Sequence, residues 1–202
     1  MSSSRTAVRQ YWVAIRAMLI FTVVLGVGYT AILTGIGQLV LPWQANGSVV
    51  KVGGKVVGSA LIGQSFTDKK GNALPEWFQS RPSAAGTGYD ASASSGSNYG
   101  PENADLIKVV KERKATIAKL DGVSPSSIPA DALTASASGL DPHISPEYAL
   151  EQVARIAGVR NLSESAVKSL VESKIQVPDL GYLGKPRVNV LDLNIALASL
   201  KG

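Results

Sequence analysis

From Ala17 to Val50 the chain carries no charged side chain. Within that stretch residues 17–41 read AMLIFTVVLGVGYTAILTGIGQLVL. As a helix rising about 1.5 Å per residue they make roughly 37 Å, enough to cross a hydrocarbon core of about 30 Å with some tilt. Trp12 and Trp43 flank the run, with Tyr11 beside the first, and interfacial aromatics prefer those depths. A cleaved signal peptide would have a shorter apolar region and a small-x-small cleavage site; Leu41-Pro42-Trp43-Gln44 offers none. The expectation is an uncleaved anchor. Arg5, Arg9 and Arg16 all precede the run and no acid does. The positive-inside rule then gives a short cytoplasmic tail over residues 1–16, a transmembrane helix over 17–41, and a single extracytoplasmic domain over 42–202.

Thr22, Gly26, Thr30, Thr34 and Gln38 recur every fourth residue along that helix. Small residues let helix backbones approach closely, and hydroxyls can bond across the contact. The stripe reads as a docking face for partner helices. Glycine and threonine are common in such helices for no special reason, but a lone anchor has no evident use for Gln38 in its outer half.

Beyond Arg16 the chain holds 17 basic and 15 acidic residues, a balance that argues against nucleic-acid binding. It has no cysteine, hence no disulfide and no thiolate metal site. The outer part reads as an α+β domain with a small β-sheet and several helices. Val49 to Val52 and Lys55 to Val57, separated by Gly53-Gly54, form a hairpin pattern, and Ala60-Leu61-Ile62 would continue the second strand. Pro101 to Leu120 reads as a basic amphipathic helix presenting Leu106, Ile107, Val110, Ile117 and Leu120. Ser145 caps a helix running through Ala157 to a stop at Gly158, Ser163 caps another, and Asn189 a last one with Leu193, Leu197 and Leu200 on one side. Residues 74–101 are rich in glycine, serine and alanine. They also carry Trp77, Phe78, Arg81, Tyr89, Asp90, Asn98 and Tyr99, too many anchors for a linker, so an ordered functional loop is expected.

The chemistry sought is mostly absent. No Walker A sequence occurs, and Gly26-Val27-Gly28 lies inside the apolar helix. Asp68-Lys69-Lys70-Gly71 lacks the threonine of a phosphorylated pump motif and reads as a surface turn. Ser48-Val49-Val50-Lys51 and Ser165-Ala166-Val167-Lys168 fit S-x-x-K, but no Lys-Thr-Gly accompanies them. His143 is the sole histidine, close to Asp141; a structural role before the following helix outweighs membership of a Ser-His-Asp site, which would need a serine from far in sequence. A membrane-anchored extracytoplasmic serine hydrolase is therefore the alternative reading.

Several longer patterns remain. They are Val57-Gly58-Ser59-Ala60-Leu61-Ile62-Gly63-Gln64; Phe78-Gln79-Ser80-Arg81-Pro82-Ser83-Ala84; Gly88-Tyr89-Asp90; and Ser95-Gly96-Ser97-Asn98-Tyr99-Gly100-Pro101. Leu133 to Pro146, containing Asp141-Pro142-His143, and Leu183 to Asn194 follow in order. Together with the anchor the chain resembles the KdpC family, the C subunits of the Kdp potassium-transporting ATPases. Ser95 departs from the family, which often has a glycine there. The resemblance implies a non-catalytic accessory subunit in the inner membrane of a bacterium. Its partners would be the channel-like A subunit, the P-type ATPase B subunit and the small F subunit, besides the lipid bilayer. It implies that the complex uses ATP, Mg and potassium, with none held directly by this chain, and a catalytic-chaperone role that raises ATP affinity. The family-motif residues it singles out are Arg81, Pro82, Ser83, Tyr89, Asp90, Ser97, Asn98, Gly100, Pro101, Asp141, Pro142 and His143.

Overall fold

The computed structural model describes residues 3–200. Met1, Ser2, Lys201 and Gly202, at the ends of the expected tail and outer domain, lie outside the described residues, as does the Arg5 side chain. The chain forms two compact units that divide between Val49 and Val50.

The first unit is helical. α1 (Ser3–Phe21) begins well inside the expected tail, passes into a π-helical segment (Thr22–Gly28), and continues as α2 (Tyr29–Val40). The helix long and apolar enough to cross a membrane runs Thr6–Val40 and starts before the uncharged run, because Arg9 and Arg16 do not interrupt helical geometry. Nothing in the π segment or α2 is buried within the chain. A short turn of helix, α3 (Pro42–Ala45), follows, with proline at its first position.

The second unit mixes helices with two small sheets. β1 (Val49–Val52) and β2 (Lys55–Ser59) form the expected hairpin through Gly53 and Gly54, both with positive φ. The second strand does not run on through Ile62: Ser59 bridges back to Ile62 instead, because the Ser59 hydroxyl accepts the Leu61 amide and turns the chain. Asp68 accepts the amides of Lys70 and Asn72 and forms the expected surface turn.

Helix α4 (Ala104–Asp121) is capped by the Asn103 side chain, which accepts the amides of Asp105 and Leu106. Ile107 lies outside its expected apolar face, at 44% exposure. After α5 (Ala130–Leu133) and β3 (His143–Ile144), the single helix expected from Ser145 is two helices, α6 (Pro146–Glu151) and α7 (Val153–Arg160). The break is at Gln152, whose ψ of −9° is too open for an α-helix. Gly158 does not stop α7; Asn161 does, in the left-handed conformation at φ 54°. α8 (Glu164–Ser173) is capped by Ser163. β4 (Ile175–Gln176), β5 (Arg187–Asn189) and α9 (Val190–Ser199), capped by Asn189, complete the unit. β5 is central in a three-stranded antiparallel sheet of order β3-β5-β4, with Ile144 and Ile175 both opposite Val188.

The core gathers Phe78, Ile156, Val167, Val188, Leu193 and Leu197, all fully buried. Polar side chains are buried among them, and they hold loop backbone. Asn194 accepts the Phe78 amide and donates to the Phe78 carbonyl, at 2.9 and 3.0 Å. Gln152 accepts the Gln79 amide at 2.7 Å and donates to its carbonyl. Arg155 donates to Asp121 at 2.5 Å, to Gln152, and to the carbonyls of Pro75 and Trp77. Arg160 donates to Glu76 O and lies 4.3 Å over the Trp77 ring. The stretch 75–79, irregular in backbone yet buried at Phe78 and Gln79, thus has hydrogen bonds supplied by α7, α9 and Gln152 at the break between α6 and α7.

Asp121 and Arg155 expose 1% and 3% of their side chains. Removing one partner leaves the other charge buried and uncompensated. Asp121→Ala is expected to cost about 3 kcal/mol or more, whereas Lys168→Ala, which breaks the exposed pair with Glu172, is expected to stay within about 0.5 kcal/mol. Urea unfolding of both variants in detergent checks the contrast.

Candidate functional site: a cleft built from the motif loops

The docking of residues 75–79 aims the next stretch of chain at the loop before β3. Ser83 is its hub. Its hydroxyl donates to Gly139 O at 2.6 Å and accepts the amides of Ala85 and Tyr89. Farther along, the Ser95 amide and the Ser94 hydroxyl both donate to Ser138 O. Residues 83–95 and 138–139 therefore zip together without regular strands. Gly139 sits at φ 67°, and a Cβ there would meet Ser95 O at 2.6 Å, so only glycine permits the closure. Ser95 makes its bonds without positive φ, so the departure from glycine is accommodated.

Tyr89 lies beneath this layer in left-handed backbone, φ 56°. Its hydroxyl donates to Arg81 O at 2.8 Å, and burial pushes the phenol up to about 12. Gly63 packs directly against it: a Cβ would lie 2.4 Å from the Tyr89 ring and 2.6 Å from Asp141 O. The Gly63 amide donates to Leu140 O. Gly63→Ala is expected to cost about 1–3 kcal/mol through overpacking, read by thermal unfolding.

Arg81, Asp141 and His143 meet at the surface of this arrangement. Arg81 Nη1 lies 3.0 Å from Asp141 Oδ2, and Arg81 also donates to Thr134 O. Asp141 Oδ1 accepts the His143 amide at 3.0 Å and faces His143 Nδ1 at 3.4 Å. Burial pushes the Asp141 carboxyl up, but the His143 ring and amide together with the Arg81 charge outweigh it and hold it below the ordinary carboxylate value. Pro142 is buried, and its carbonyl accepts the Val190 amide. His143 thus serves both the sheet, opposite Asn189, and the Asp141 cluster.

These residues border an open cleft of about 680 Å³. Its far side brings in residues that sequence reasoning did not single out: Asp131, Glu147, Lys185 and Arg187. Lys185 and Arg187 stand in the last of the family patterns, Leu183 to Asn194, on either side of Pro186, and that basic pair was the available signal. Asp131 gave none, since its place depends on accepting the amide and hydroxyl of Ser145, 14 residues away. Among the described residues, no cluster of three or more histidine, cysteine or carboxylate residues is arranged to hold a metal ion.

The other singled-out residues lie elsewhere. Asp90 is exposed and closes a turn by accepting the Ser92 amide and hydroxyl. Ser97, Asn98, Gly100 and Pro101 are all exposed, with Asn98 at φ 53°. Pro82 is half-buried beside Arg81.

In the first unit Thr22, Gly26, Thr30, Thr34 and Gln38 are all exposed. In a uniform α-helix each four-residue step overshoots a full turn by about 40°, so such a stripe winds around the helix. The π segment closes i→i+5 bonds and winds more slowly, which reduces the drift between Thr22 and Gly26. Thr34 donates its hydroxyl to Thr30 O. Gln38 and Asn46 exchange amide hydrogen bonds, and Asn46 also donates to Pro42 O. Gln38 therefore has a role inside the chain, tying the end of α2 to the turn after α3.

Asp141 has a depressed carboxyl, so its contribution to stability is complete above the ordinary value near pH 4 and is lost as the pH falls through the lowered one. Asp141→Asn is expected to lower stability at neutral pH and to flatten its fall below about pH 4. Chemical unfolding at a series of acid pH values measures both.

Comparison with known proteins gives one family. Residues 11–199 match the family model KdpC, described as K+-transporting ATPase, c chain. A protein of Kineococcus radiotolerans called the potassium-transporting ATPase KdpC subunit is 51% identical over 191 residues, covering 95% of this chain and 94% of that one. The protein of the same name from Caulobacter vibrioides is 53% identical over 186 residues, covering 91% and 90%, and that from Methylococcus capsulatus is 47% identical over 189 residues, covering 93% and 96%.

Proposed function

The chain belongs to the KdpC family, the c chains of K+-transporting ATPases, and from that membership we propose that it is a membrane-anchored, non-catalytic accessory subunit of a bacterial potassium-import complex. Its companions are a channel-like subunit, a P-type ATPase subunit and a small fourth subunit. The observation that carries this is the long apolar helix Thr6–Val40, with no residue buried inside the chain over its apolar window. Such a surface is covered by lipid and by other spanning helices.

Two features support a non-catalytic role. The chain's sole histidine is committed to Asp141 and to strand pairing. The serine hydroxyl at the cleft, Ser145 Oγ, donates to Asp131 rather than to His143 and accepts the Tyr148 amide as the cap of α6. The exposed motif segment 97–101 fits a surface reserved for protein contact, since motif residues that pack no core have another use.

The arginines before the span orient the chain with residues 1–16 inside, the span over 17–41, and 42–202 outside. ATP is then on the other side of the bilayer from the folded unit. An effect of this subunit on nucleotide affinity is indirect: the outer unit caps the mouth of the channel-like subunit, the helix braces the membrane part, and together they bias the pump toward one conformation.

The helix alone, cut after residue 49, is expected to co-extract with its companions but to leave the pump with weakened ATP affinity and transport. Unchanged assembly, transport and affinity would remove the outer unit from the mechanism. For orientation, protease added to intact spheroplasts should digest the unit after residue 50; protection there with digestion in inside-out vesicles would reverse the topology.

A further inference from the structure

The cleft beside Arg81 has an imbalance of hydrogen-bonding capacity. Two of its three acids, Asp141 and Asp131, are spent internally, and Glu147 is exposed. Asp141 uses Oδ2 on Arg81 and Oδ1 on His143. Asp131 uses Oδ2 on the Ser145 amide and Oδ1 on the Ser145 hydroxyl. Those two carboxylates also take the amides of His143 and Ser145, which flank the free side of edge strand β3. A visiting chain therefore finds no open row of backbone donors there, and β-augmentation is disfavoured.

The donors are only partly spent: Arg81 gives Nη1 to Asp141 and Nη2 to Thr134 O. Arg81 Nε is buried with no hydrogen-bond partner. Lys185 is exposed and in no ion pair among the described residues. Arg187 meets only Asp179, at 3.5 Å through Nη2. All three line the same cleft. A buried unpaired guanidinium nitrogen costs free energy that a matching acceptor would recover.

The walls limit which acceptor fits. Pro129, Ile144, Pro146 and Pro186 are apolar, and about 680 Å³ is far more than one small ion needs. Asp131, Asp141 and Glu147 balance the three cations in number, so a multiply charged anion would leave more uncompensated charge than a single carboxylate.

We propose that this cleft receives a glutamate or aspartate side chain on a short segment of a companion subunit, with the carboxylate between Arg81 and Lys185 and the flanking peptide against the prolines. The proposal rests on the reading of this chain as a subunit that works by contact, and it assigns one of those contacts. It also explains why the Arg81–Asp141 pair stays partly solvent-exposed, at 22% and 30% of the two side chains.

His143 lines the cleft and is the only histidine in the sequence, so its ring signals are an unambiguous reporter in the full untagged chain in detergent micelles. The probes are acetyl-Pro-Glu-Ala-amide, its glutamine counterpart, and inorganic phosphate. A saturable shift of the His143 ring signals is expected with the glutamate peptide only, weakened about fivefold by Lys185→Gln as one charge-assisted contact is lost. Lys185 is exposed, so that variant keeps the fold, which its amide spectrum verifies. Equal shifts with the glutamine peptide, an effect of phosphate alone, no saturable shift with any probe, or an unchanged response in Lys185→Gln would each overturn the proposal. Because the chain is tested alone, such a failure leaves its membership of a complex to the co-extraction experiment.

Discussion

The folded unit depends on a buried polar graft between helix and loop. Arg155, paired with Asp121 inside the protein, spends its remaining donors on Gln152 and on the carbonyls of Pro75 and Trp77. Gln152 and Asn194 extend the graft to Gln79 and Phe78. A segment with no helix or strand of its own can be buried only if something else satisfies its amides and carbonyls. Here three side chains from α7 and α9 and the break between α6 and α7 do so. Burial pushes the Asp121 carboxyl up while Arg155 pulls against it, so neither charge is tolerable without the other.

The cleft follows from this graft. Once residues 75–79 are fixed, Arg81 is delivered to Asp141, and Ser83 to Gly139. Gly63 and Gly139 allow the close approaches because no Cβ fits at either position. The loops are held at Ser83, Tyr89, Ser94 and Ser95 by hydrogen bonds to other loop segments. The partners are hydroxyls and single carbonyls rather than a repeating ladder.

Periodicity and capping made the helices and the hairpin legible in sequence, because those signals are local. Ser145, Ser163 and Asn189 cap as their positions suggest, whereas α4 starts three residues after the expected Pro101, where Asn103 caps it. The misreadings are also instructive. Gly158 looked like a stop, but glycine merely lowers helix stability, and the stop came from Asn161 in left-handed backbone. Gln152 gave no sign of a break because its reason is Gln79, 73 residues away.

The sequence by itself determined the apolar span, the mixed α and β character of the rest, and the family, because each is written in contiguous residues whose hydropathy or order is read without folding the chain. Only the tertiary structure decided that Arg81, Asp141, His143 and Lys185 share one cleft, and which of their hydrogen bonds are already used. Those outcomes depend on pairings across 60 residues or more, such as Arg81 with Asp141 and Phe78 with Asn194. No local propensity encodes them. They exist because the core around Phe78, Val188 and Leu193 brings the polar loops within reach of those partners.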